Sequence, residues 1–175
     1  GATGNVGIGT SSINSFSGYT SLEINNATSG ALLDLSQGDS MRGRLIATAT
    51  SMSLETSGSI PIIFQPAGAE AMRLSSEGDL MHGTTNASLF SATSGSGTLI
   101  EPTGVVTIAR QTTAATQPLF ILNTTGVDGI LAQFRKDGAP VGSIGARGGD
   151  LTIGTGNCGL IFNDGTEILI PANIT

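Results

Sequence analysis

Gly38-Asp39-Ser40-Met41 and Asp79-Leu80-Met81-His82 hold between them the residue types of a serine-hydrolase triad. In that chemistry Ser40 is the nucleophile, His82 takes its proton and Asp79 orients the imidazole. Such a motif works on an α/β scaffold, and the residues around it here read as strands, so all three are expected to be structural. Gly154-Thr155-Gly156-Asn157-Cys158-Gly159 matches the glycine spacing of a dinucleotide loop. That loop needs a helix next, to offer its N-terminus to pyrophosphate, and Leu160-Ile161-Phe162-Asn163-Asp164-Gly165 reads instead as a strand and turn. Two carboxylates facing across a groove at about 5–10 Å would hydrolyse a glycan. Asp34, Asp39, Glu55, Glu70, Asp128, Asp137 and Glu167 are the available groups, none in a context that singles it out. One Cys (Cys158) and one His (His82) make a zinc site within one chain improbable and exclude an intrachain disulfide. No residue is therefore assigned a catalytic, cofactor-binding or metal-binding role.

Weaker binding chemistry remains. Arg42, Arg44, Arg135 and Arg147 stand near expected turns, where a guanidinium can hold a carboxylate or phosphate, although a solvated rim is the default. Phe16, Tyr19 and Phe90 lie among polar residues near module ends, suited to sugar stacking but better suited to a hydrophobic plug. The sequons Asn26-Ala27-Thr28, Asn86-Ala87-Ser88, Asn123-Thr124-Thr125 and Asn173-Ile174-Thr175 fit chance in a chain so rich in Asn, Ser and Thr. Receptor-contacting residues stay unassigned.

The elements that position these residues follow from composition and period. The chain has 175 residues, 26 of them Gly, with no Trp and only 11% charged residues. Its net charge of −6 leaves no electrostatic footprint for phosphate backbones, so nucleic acid is not an expected partner. No apolar run approaches the roughly 20 residues of a membrane helix. Low charge and positive mean hydropathy argue against disorder. The first residues, Gly1-Ala2-Thr3, carry no initiator Met and no signal-peptide pattern, which reads as an excerpt from a longer polypeptide.

Apolar and polar residues alternate at Leu22-Glu23-Ile24-Asn25, Leu33-Asp34-Leu35, Met52-Ser53-Leu54 and Leu151-Thr152-Ile153. Ile168-Leu169-Ile170 is a continuous triplet, as a doubly buried strand would be. Gly-containing turn signals punctuate these runs, with Asp137-Gly138 and Asp164-Gly165 the sharpest hairpin markers. Residues 130–136 alone offer two helical turns, and the Asp-Gly that follows suits a hairpin equally well. The expected class is all-β.

Repeats carry the organisation. G-[ND]-[VL]-x-x-G-T occurs at Gly4 to Thr10, Gly78 to Thr84 and Gly149 to Thr155. Its reading is a turn, a brief strand, then a bend or close backbone approach at the second glycine. The structural glycines are thus Gly4, Gly9, Gly78, Gly83, Gly149 and Gly154. A longer duplication lies over this. Gly43 to Ala47 matches Gly142 to Ala146, Met52-Ser53-Leu54 matches Leu151-Thr152-Ile153, and Ile63-Phe64-Gln65 matches Ile161-Phe162-Asn163. Glu70 falls against Glu167, which suggests a repeated structural role. The expected organisation is a shaft strand segment at 1–18, a β-module at 19–85, a Ser/Thr/Gly-rich connector at 86–116 and a second module at 117–175. With so few large apolar side chains, each chain is expected to complete its core with further copies of itself.

Gly4-Asn5-Val6-Gly7-Ile8-Gly9-Thr10-Ser11-Ser12, Gly68 to Leu80, and Gly142 to Gly165 resemble bacteriophage tail-fibre repeats that precede an intramolecular chaperone domain of the endosialidase type. The resemblance implies an elongated, intertwined homotrimeric fibre of β-prism or triple β-helix-like segments. It implies a place on the virion, contact with other virion proteins, and host attachment through a surface glycan or outer-membrane receptor. No cofactor and no membrane insertion are expected. The alternatives are a tailspike-type glycan hydrolase and a head-attached virion fibre or decoration protein.

Overall fold

A computed structural model describes residues 4–14, 18–113 and 118–173. Its secondary structure is all-β: fifteen strands, two 3-10 turns and no α-helix among the described residues. The chain divides into two compact units, 1–113 and 114–175.

In the first unit, β1 (Val6–Ile8) and β2 (Leu22–Ile24) pair in parallel. A meander follows of β3 (Ala31–Gln37), β4 (Ser40–Ala47) and β5 (Met52–Thr56). The third sheet has the order β10, β9, β8, β7, β6, built from β6 (Ile62–Phe64), β7 (Met72–Leu74), β8 (Leu80–His82), β9 (Gly97–Ile100) and β10 (Val106–Ala109). The second unit is one antiparallel meander of β11 (Ile130–Lys136), β12 (Ala139–Arg147), β13 (Asp150–Thr155), β14 (Cys158–Asn163) and β15 (Ile168–Ala172). The helical alternative at 130–136 is thus a strand. Position 85 is not a sheet boundary, because β8 and β9 pair across it: Met81 lies opposite Leu99.

The duplication is written into strand register. Adding 99 to the β4–β5 pair Leu45 and Leu54 gives the β12–β13 pair Ile144 and Ile153, and the neighbouring pairs follow. Even the irregularity repeats: Leu35 faces Gly43 but Ser36 faces Met41, leaving Arg42 as the extra residue, and Val141 is the extra residue at the equivalent place. Both hairpins turn on two left-handed residues, Gly38-Asp39 (φ 57° and 59°) and Asp137-Gly138 (φ 50° and 79°). These primed turns match the twist of the flanking strands. At the next turn the copies diverge in chemistry but not in length. Gly148-Gly149 is left-handed at both positions, whereas the Thr48 hydroxyl accepts from the Ser51 amide at 3.1 Å and holds a turn without glycine.

After β5 the copies part. Thr155 faces Cys158 across a two-residue turn that continues the sheet into β14. The matching stretch of the first copy is the linker 57–61, in which Pro61 has no amide to give a ladder and the Thr56 hydroxyl donates to the Ile60 carbonyl at 2.7 Å. β5 and β6 accordingly belong to different sheets.

The short repeat behaves as expected at its first glycine, left-handed at Gly4, Gly78 and Gly149 (φ 78°, 94° and 88°). Gly9 and Gly83 are left-handed too, but Gly154 stays inside β13 between Ser143 and Gly159, because that strand has partners on both sides.

A dry interior scarcely exists within one chain. Among the described residues only Met81, Leu89 and Leu99 form a buried apolar cluster, where the 3-10 turn Leu89–Ser91 closes over the β6–β10 sheet. β15 is an edge strand with Ile168 and Leu169 exposed, so the apolar triplet is not doubly buried within the chain.

One position tests the meander directly. A Cβ on Gly145 would lie 2.5 Å from the Gly129 carbonyl oxygen, against backbone that cannot swing aside. Gly145→Ala is expected to cost about 1–3 kcal/mol, the scale of overpacking. Gly165→Ala, whose Cβ would meet nothing closer than 3.8 Å, should stay within about 0.5 kcal/mol. Thermal melts of both variants at one protein concentration check this.

Candidate interaction surfaces

The residues singled out for chemistry fall on separate elements. Ser40 closes the β3–β4 hairpin, whereas His82 lies in β8 of another sheet. The Asp79 amide donates to the Ser75 hydroxyl at 2.9 Å, within a turn. The stretch 154–159 is the β13–β14 hairpin, and a strand follows it where a dinucleotide site requires a helix. No cluster of three metal-ligating side chains occurs among the described residues. Among the described residues no helix is long and apolar enough to cross a membrane.

Several of the carboxylates are engaged locally. Arg44 reaches Glu55 across the β4–β5 ladder at 3.0 Å. Glu70 takes two short bonds from Arg73, at 2.5 and 2.6 Å. Its repeat mate Glu167 stands in a left-handed turn (φ 56°), so the two do not share a structural role. Asp39 and Asp137 occupy the hairpin turns, Asp128 accepts from the Gly148 amide, and Asp34 lies opposite Arg44 in register. Arg135 bonds Gln133 and the Gly138 carbonyl, and Arg147 bonds the Asn173 carbonyl. Arg42 is the exposed bulge residue. Asn26 and Asn86 accept from downstream amides in Asx turns, a local reason for Asn two residues before Thr or Ser. Tyr19 and Phe90 are exposed, Cys158 is exposed and free, and Phe16 and the end of the last sequon lie outside the described residues.

What the fold does gather is apolar surface. Residues opposite one another in register share a sheet face. On β3–β5 one face carries the rows Ala31, Ala47, Met52 and Leu33, Leu45, Leu54; the other carries Asp34, Arg44 and Glu55 beside Leu32, Ile46 and Ser53. In the second unit, one face of the five-stranded sheet carries Ala146, Leu151, Phe162, Leu169 and, beside it, Ala132, Ile144, Ile153, Leu160, Pro171. On β6–β10 the row is Ile62, Leu74, Leu80, Ile100 and Val106, on the side away from Leu89. Most of these side chains are solvent-exposed, Leu54 at 53% and Met52 at 73%. Strand alternation flagged the individual residues; their alignment into uninterrupted rows required the register.

The pair of Glu70 and Arg73 yields a pH dependence. The guanidinium holds the Glu70 carboxyl below its ordinary value of 4.5. Stability from this pair is therefore present above the ordinary value and lost as pH falls through the lowered one. The stability difference between wild type and Glu70→Gln is expected to be flat above about pH 4.5 and to shrink below it. Denaturation midpoints measured across that range check the sign.

No protein-family model, curated protein or solved structure matches the chain.

Proposed function

We propose that this chain is a structural and adhesive segment of a bacteriophage tail fibre, working on the virion as a homotrimer. The sequence resemblance to tail-fibre repeats supplies the setting and the number three. The observation that supports assembly is the uncovered apolar face present on every large sheet. An isolated chain would leave these faces wet, at a cost near 25 cal/mol for each apolar Å². Three copies with these faces inward would bury them and leave the Arg44–Glu55 ion pair of β3–β5 in water.

Function then follows from stiffness and valency. Other virion proteins would hold the segment at its ends, and weak contacts to a host glycan or outer-membrane receptor would gain avidity from three copies per fibre. Strands that separate only together would make the assembly kinetically resistant to unfolding.

Sedimentation equilibrium is expected to give three times 17.5 kDa, with bands that resist SDS until heated. A monomer at micromolar concentration would contradict the reading. Ile153→Glu, placing a charge on the apolar face, should abolish assembly. Gln133→Glu, on the opposite face of the same sheet, should leave it intact.

A further inference from the structure

The two copies of the duplicated meander differ in one respect that points to a specific contact between chains. In the second copy β13 and β14 are neighbours, with Leu151 opposite Phe162, Thr152 opposite Ile161 and Ile153 opposite Leu160. Their counterparts in the first copy, β5 and β6, are both sheet edges, each with one side paired and the other bare. A bare edge is a template for another strand.

We infer that β5 of one chain pairs antiparallel with β6 of a second copy, in the register that β13 and β14 use within one chain. Transferring that register sets Met52 opposite Phe64, Ser53 opposite Ile63 and Leu54 opposite Ile62 of the neighbour. This inference rests on the homo-oligomer proposed above and names the seam within it.

Three observations support the seam. The linker 57–61 carries Pro61 and the bond from Thr56 to the Ile60 carbonyl, and within one chain β6 does not fold back on β5. The side-chain parity fits: the row ending at Leu54 meets the row beginning at Ile62. Two exposed apolar faces thus become one continuous face. A one-residue slip would set Leu54 against the opposite face, beside Arg73. Finally, Met52, Leu54 and Phe64 are all exposed in the single chain, as an unfilled seam requires.

The test is a disulfide across the transferred register. Directly opposed residues in antiparallel strands lie about 4.5–5.5 Å apart at Cα, within disulfide range. Ser53→Cys and Ile63→Cys are combined in a Cys158→Ala background, with Leu54→Cys and Ile62→Cys as a second pair should the first fail to fold. After mild oxidation, non-reducing gels are expected to lose the monomer band to covalent dimers and trimers, restored by reductant. Sedimentation of the same samples reads assembly separately. A trimeric mass with disulfides only within chains, or none from either folded pair, would overturn the seam and leave the trimer standing. A monomeric mass would overturn both. In the wild-type assembly, hydrogen exchange should find the amides of 52–56 protected on both edges of β5, and fast exchange on its outer edge would overturn the seam.

Discussion

The governing constraint is that single-layer sheets with one apolar face cannot be stable alone in water. Each large sheet of this chain has an apolar row left open, and among the described residues the buried cluster of Met81, Leu89 and Leu99 lies on the other face of β6–β10. A row such as Ile144, Ile153 and Leu160 is held in line by backbone ladders. Further copies of the chain would supply the opposing layer. Burying such rows is the dominant favourable term available to a chain with few charges and no tryptophan.

The duplication shows how the sequence achieves this arrangement economically. Register is fixed by two-residue hairpins and by a bulge, and all of these recur at an offset of 99 residues. Side chains are then free to vary, provided parity is kept. Gly148-Gly149 and the Thr48 hydroxyl close the same turn by different means. Where a proline-containing linker replaces a tight turn, the same strands are released to different sheets. One change of turn chemistry therefore decides whether an edge is closed within the chain or left open.

Much of this was legible in the sequence. Period-two alternation and Gly-rich turns identified the all-β class, and Asp137-Gly138 marked a hairpin that the structure contains. The repeat matches at Gly43, Met52 and Ile63 fall on strands that correspond in register. Other features were not legible. Pairing of β8 with β9 across position 85 depends on side chains distant in sequence. Glu70 and Glu167 align in the duplication, yet Glu70 pairs with Arg73 whereas Glu167 takes a left-handed turn, and the alignment by itself does not record that difference. The triad-like and dinucleotide-like motifs lack their scaffold context in the sequence, and strands β4, β8 and β14 stand at those places in the fold.

Side-chain solvent contact tests the central claim most directly. Hydroxyl-radical footprinting of the native protein would label Met52, Leu54, Phe134 and Phe162 at rates set by their true accessibility. Burial of the apolar faces between copies predicts strong protection at all four, lost when the assembly is dissociated. Labelling at the rates expected from a single chain, where each of them is substantially exposed, would contradict it.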